Sequence, residues 1–276
     1  MENKQNFFVK HKTFTIFSIL GILVILAAIF APVLTGGIDP TTGSLSEALK
    51  PPSSEHLFGT DKLGRDLYAR VIYGARTSLI AAFSVVILAF VIGTVAGVLA
   101  GYFGKIVDAV IMRIADMMIA FPGMILAIAV AGIMGASIRN AVIAVALVTW
   151  PKYARLARSL VLKIRDRDYV AAAIVTGSKT PYMLLKYMLP SAITTLVITA
   201  AMDIGTMMLE LAGLSFLGFG AVPPTPEWGL MLSEGRAYMT SAPWLMIYPG
   251  VAIFIVVVIF NMLGDILRDI LDPRQE

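Results

Sequence analysis

"AAAIVTGSKTPYMLLKYMLP", residues 171–190, lies in the most basic loop of an otherwise apolar chain. Asp168 is placed to cap a helix over Tyr169–Thr176, and Gly177 suits the left-handed position that ends one. Thr180 suits the cap of a second helix, Pro181 its first turn, and Pro190 predicts its end. The pattern is helix, glycine corner, short helix, proline. The second piece crowds Tyr182, Leu184, Leu185, Tyr187, Met188 and Leu189 into one or two turns. That much apolar surface needs cover from the chain itself, from a partner, or from lipid with Lys179 and Lys186 as interfacial anchors.

The surrounding composition sets the class. Of 276 residues 58% are hydrophobic and 14% charged, and the mean hydropathy is +0.83, which predicts an all-α integral membrane protein. The net charge of +4 marks cytoplasmic loops in such a chain rather than nucleic-acid binding. With no cysteine, disulfides and thiolate metal sites are excluded. The sequence has no HExxH, Walker A, GxSxG or GxGxxG stretch, so no enzyme chemistry and no cofactor are indicated. The apolar run Phe14–Leu34 follows Lys4, Lys10 and Lys12 like a signal peptide, but it is long enough to span a bilayer and predicts a retained helix.

Six transmembrane helices are expected. Five stretches are plain: Phe14–Leu34, Ser78–Tyr102, Met117–Ile138, Ser191–Gly220 and Trp244–Leu263. A further span, fourth in order, is inferred from about Arg139 past Lys152, whose stem can snorkel; beyond it Tyr153–Ile164 projects as a helix into the cytosol. The segment from Lys152 to Lys186 carries eight basic residues against Asp166 and Asp168, whereas Ala221–Pro243 carries only Arg236 against Glu227 and Glu234. The first is therefore expected inside and the second outside, with both termini cytoplasmic, in keeping with Arg268 and Arg274. Residues 1–75 then form a first membrane helix and an outer loop, and residues 76–276 a core of five spans. In the outer loop Asp61 is a candidate cap for a short helix through Leu67 and Val71.

On this frame the opening stretch resembles the cytoplasmic loop of ABC importer permeases, EAA-x(3)-G-x(9)-I-x-L-P. Ala171, Ala172, Ala173, Gly177, Leu189 and Pro190 fall on it, with Ala171 in place of glutamate and Tyr187 in place of isoleucine. "HLFGTDKLGRDLYAR" (56–70), "RIADMMIAFPGMILA" (113–127), "LSFLGFGAVPPTPEWG" (214–229) and "NMLGDILRDILDP" (261–273) are similar to the dipeptide/oligopeptide/nickel permeases, second (C-type) subunit. "MDIGTMMLELAGLSFLG" (202–218) and "PTPEWGLMLSEGRAYMTSAPW" (224–244) look most like the nickel-type members.

The resemblance implies a type I ABC importer permease whose short helix is a coupling helix, seated in a cleft of a cytoplasmic ATPase subunit. Ala172, Ala173, Gly177, Pro181, Leu185, Leu189 and Pro190 would carry that coupling. The implied partners are a companion permease subunit, two ATP-binding ATPase subunits, and an extracellular or periplasmic solute-binding protein, in the bacterial cytoplasmic membrane. The implied cargo is nickel or a nickel chelate, with a dipeptide or oligopeptide as the alternative. A channel or secondary transporter working without ATPase subunits is the expectation from another class.

Two further sets of residues are candidates on physical grounds. Asp203, Met207 and Glu210 recur at i, i+4 and i+7, on one stripe of a span, where a carboxylate must face protein or water. They are expected either to line a path for a cation, be it a metal complex or a peptide's amino end, or to pair with Arg113 or another buried group. No resident metal site is expected, since the spans hold no histidine. Glu227 and Trp228, in the loop stiffened by Pro223, Pro224 and Pro226, are expected to dock the binding protein or to anchor at the bilayer interface.

Overall fold

The Asp66 carboxylate accepts the Ala69 N–H at 2.8 Å, and a helix of 37 residues starts there. The computed structural model describes residues 12–271. In chain order its principal helices are α1 (Lys12–Ile29), α2 (Leu67–Phe103), α3 (Lys105–Ile119), α4 (Gly123–Met134), α5 (Ile138–Arg165), α6 (Asp168–Val175), α7 (Thr180–Met183), α8 (Leu189–Phe216), α9 (Trp228–Gly235) and α10 (Trp244–Leu271). Among the described residues there is no strand, only two isolated bridges, Gly43 with Arg65 and Thr60 with Asp66. Lys4, Lys10, His11, Pro273 and Arg274 lie outside the described residues.

α2 packs lengthwise on α5, and α8 packs on α10, α2 and α5. The close approach of α2 to α5 comes from Gly93, Gly97 and Gly101, one per turn on a single stripe. A Cβ on Gly97 would sit 2.2 Å from the Ala154 carbonyl oxygen, and one on Gly93 2.5 Å from Tyr153 Cβ. Small residues at this spacing let helix backbones meet where lipid supplies no hydrophobic drive. Alanines and valines of α2, α4 and α5 close the core against Met207, Met208 and Leu211 of α8.

Loop 35–66 and α9 form a cap over one end of the bundle. Buried Arg65 donates to Asp61 at 2.6 Å and to Glu234 of α9 at 3.2 Å. Buried Arg70 reaches the same Glu234 at 3.3 Å and the carbonyls of Pro40 and Pro224 at 2.8 and 3.2 Å. Each guanidinium is both paired and hydrogen-bonded, which a buried charge requires. His56 adds a 2.9 Å contact to Asp66. The opposite end carries the basic residues of α5 from Lys152 onward and the segment up to 190, and is called the basic end below.

The structure departs from the expected elements in several places. The helix through Leu67 and Val71 is 37 residues long rather than short, and Asp66 caps it, because Asp61 is committed to Arg65. The division at 75/76 falls inside this unbroken helix. The stretch Met117–Ile138 is not one straight span. Pro122 and Gly123 break it, so α3 and α4 meet at a 93° bend. Among the described residues four of the six expected spans are helices long and apolar enough to cross a membrane, or five if the bent pair counts as one. The remaining helix, α5, has 28 residues. Its basic residues Arg139, Lys152, Arg155, Arg158, Lys163 and Arg165 leave its apolar portion short.

Pro190 does not end a helix. The backbone stays helical from Thr180 to Phe216, 37 residues. The turn Leu184–Met188 just before it is π-helical, with the Leu189 N–H bonded to the Leu184 carbonyl. That wide turn takes up the mismatch of a proline ring and a missing N–H.

Candidate functional site

The segment 168–190 is held by the chain on one side and bare on the other. α6 ends in a paired cap: the Gly177 N–H bonds the Ile174 carbonyl and the Ser178 N–H the Ala173 carbonyl, both at 3.0 Å. Gly177 has φ +84°, the left-handed conformation its type suggests. α6 begins at Asp168 without a side-chain cap, and α7 begins at Thr180 with Pro181 in its first turn.

Ala173, Met183 and Met188 are buried against Tyr153, Ala157 and Val161 of α5. The mount is itself braced. Arg158 pairs with Asp108 of α3 through two bonds of 2.5 and 2.6 Å, Arg155 with Asp116 at 2.6 Å, and Arg165 bonds the Gly101 carbonyl at 3.1 Å. Much of the basic charge read from the sequence therefore ties α5 to α3 and α2.

The other side is uncovered. Val175 is 87% exposed and Leu185 67%, with Tyr169, Ile174 and Tyr182 also exposed. Tyr187 sits among Tyr169 and Tyr182 at about 6 Å between ring centroids, and the Lys186 ammonium lies 4.9 Å from the Tyr182 ring. Ala172, Gly177, Pro181 and Pro190 are exposed, and Leu189 is half-buried in a crevice with Pro181, Leu184 and Thr94 of α2. The expected coupling residues thus share one small region.

Asp203 is buried and fully partnered. Lys152 Nζ lies 2.6 Å from one oxygen and the Tyr153 hydroxyl donates to the other at 2.8 Å. Its partner comes from α5 rather than being Arg113. Met207 is packed beside it, its sulfur 3.7 Å from Thr149 Oγ1. Glu210, two turns on, is half-buried and has no hydrogen bond or ion pair among the described residues.

Glu227 and Trp228 do not present a surface. Each is 2% exposed. Glu227 caps α9, accepting the N–H groups of Gly229 and Leu230 at 2.9 and 2.8 Å, and the Trp228 indole donates to the Val71 carbonyl at 2.9 Å. Burial pushes the Glu227 carboxyl up, opposed by those N–H groups and by Ser215 and Ser78. Both residues fasten α9 to α2, and their side chains offer almost no surface to a partner or to the bilayer interface. The Gly93, Gly97 and Gly101 stripe was missed, although its four-residue spacing is legible in "GTVAGVLAG".

Comparisons with known proteins bear on this arrangement. The family described as "Binding-protein-dependent transport system inner membrane component" matches residues 93–276. The dipeptide transport system permease protein DppC of Alkalihalophilus pseudofirmus is 45% identical over 94% of this chain and 86% of its own. The glutathione transport system permease protein GsiD of Pectobacterium atrosepticum is 46% identical over 81% and 74%. These relatives are named for dipeptide and glutathione transport, which favours the peptide alternative over nickel. An inward-facing structure of the MetNI methionine ABC transporter shares the fold, with a TM-score of 0.58 at 20% identity over 74% of this chain and 97% of that one. The chain belongs to the binding-protein-dependent transport system inner membrane components, the multi-pass permease subunits of ABC importers.

Proposed function

We propose that this chain is one of two permease subunits of an ATP-driven peptide importer, with the basic end and both termini in the cytoplasm and the cap outside. The names of its relatives support a peptide cargo, and the positive-inside bias supports the orientation. The observation that carries the coupling role is the bare patch of Tyr169, Ile174, Val175, Tyr182 and Leu185 on a braced mount. Apolar and aromatic residues on a rigid support are what a protein partner buries. That partner is an ATPase subunit, one of two, and ATP is hydrolysed there. A companion permease completes the path, and a binding protein delivers the cargo outside.

Ala172 and Ala173 keep α6 slim enough to seat, Gly177 sets the corner, and Pro181, Leu185, Leu189 and Pro190 shape the lever. Since Thr180–Phe216 is one helix, a push on Leu185 travels along α8 to the level of Asp203, Met207 and Glu210. There Asp203 is neutralised by Lys152, and Glu210 offers the open carboxylate to a peptide's ammonium group.

The test is uptake of a labelled dipeptide into proteoliposomes carrying the full assembly. ATP-dependent uptake is expected, with loss on Leu185→Asp. Uptake that persists without ATPase subunits would overturn the proposal.

A further inference from the structure

Toward the cap end, α2 and α5 bound a groove of ≈ 600 Å3. Its walls include Ile80 and Leu88 of α2 and Val142 and Ile143 of α5, and Arg76 and Arg139 complete it, one from each helix. Both arginines are exposed, and neither guanidinium has a hydrogen bond or ion pair among the described residues. Ile80, facing the groove, is 58% exposed. No acidic residue lines the groove.

We propose that this groove holds one anionic phospholipid, its phosphate between Arg76 and Arg139 and an acyl chain against Ile80, Leu88, Val142 and Ile143. The volume falls in the range of sites for small amphiphiles. Guanidinium groups are weakly hydrated and match phosphate oxygens in pairs, so two of them on separate helices favour a headgroup over water. Without a counter-charge in the groove, the ligand must bring it. A peptide needs polar partners along its backbone, which apolar walls do not provide, whereas an acyl chain needs none. The lipid would fill the space between the two helices on the cap side of the glycine contact.

The test uses the complete assembly in nanodiscs of equal parts phosphatidylglycerol and phosphatidylcholine, extracted into mild detergent, with retained lipid identified by native mass spectrometry. Retention of phosphatidylglycerol over phosphatidylcholine by roughly tenfold is expected. Arg76→Gln with Arg139→Gln should bring the ratio to parity. Ile80→Trp, which fills the groove and leaves the arginines, should lower the amount of retained lipid. Equal retention of the two lipids by the unaltered assembly overturns the proposal, as does an undiminished preference in the double variant. So does a crosslink from Ile143→Cys to the companion subunit in the assembly, which would make the groove a protein interface. If the double variant does not assemble, Ile80→Trp decides alone.

Discussion

The ammonium of Lys152 stands 2.6 Å from Asp203, so a residue that reads as a snorkelling anchor at the end of a span instead closes a bond between α5 and α8. The Lys152 side chain is 55% exposed, the Asp203 side chain 6%. Exposure on one side keeps the charge–charge contribution small, under about 1 kcal/mol. The buried Tyr153 hydroxyl matters more. Asp203→Asn keeps an acceptor for it and should lower the melting temperature of the purified assembly slightly. Asp203→Leu strands it and should cost ~1–3 kcal/mol. Equal losses in the two variants would contradict this ranking.

The α2–α5 contact should tolerate no side chain at its centre. A Cβ at Gly97 meets Ala154 O and, at 2.7 Å, Ala157 Cβ, so Gly97→Leu must push the helices apart at a cost on the order of 1–3 kcal/mol or more. Gly132→Ala is the control, since its nearest neighbour would be Phe219 at an ordinary 3.5 Å. Thermal melts of assemblies carrying each should separate them clearly.

At the docking segment, backbone conformation and surface chemistry can be varied apart. Nothing lies within 4 Å of a Cβ at Gly177, so Gly177→Val acts through φ alone, on the order of 1 kcal/mol or more. It should uncouple ATP hydrolysis from uptake, while Gly177→Asn, tolerated in the left-handed region, should not. Leu185→Asp should reduce the ATPase subunit recovered with the permease. Coupling retained in Gly177→Val and recovery retained in Leu185→Asp would argue against the lever.

Glu210 is tested by the cargo's own charge. Glu210→Gln should slow uptake of a dipeptide with a free amino end by about tenfold, the effect of losing roughly 1.4 kcal/mol of ion pairing. It should leave an N-acetylated analogue unaffected if that analogue is carried at all. An equal effect on both would make Glu210 a packing residue.

Glu227 gives a pH dependence with a definite sign. Its folded carboxyl titrates above the ordinary 4.5 because it is buried. Between that value and the raised one the folded state keeps a proton that the unfolded state has lost, so its contribution to stability falls as pH rises through the window. Glu227→Gln should flatten melting temperature against pH above about pH 4.5. A slope unchanged by the substitution would assign it to other groups. Trp228→Phe should cost about 1 kcal/mol, the worth of the bond to Val71.

Much of this was legible because membrane helices advertise themselves. Hydropathy located the apolar stretches, and Gly177 announced its corner, since few residue types adopt positive φ. What escaped was context. Pro190 carries the local mark of a helix end, but a π turn upstream, which no residue type encodes, let the helix run on. Trp228 and Glu227 sit in a proline-stiffened loop that looks exposed, and only the fold shows α2 covering them. Asp203 was recognised as needing a partner, but Lys152 lies 51 positions away on another helix.

The cap has a consequence for how the chain is made. Arg65 and Glu234 are 169 residues apart, whereas the glycine stripe of α2 meets α5 about 60 residues later in the chain. During synthesis the α2–α5 pair can therefore form early, and Arg65 and Arg70 must wait for Glu234 until α9 has been made. Closure of the cap marks the arrival of the penultimate helix. A chain that stalls before Glu234 would leave both guanidinium groups without their shared carboxylate on α9, Arg65 keeping its bond to Asp61 and Arg70 its bond to the Pro40 carbonyl.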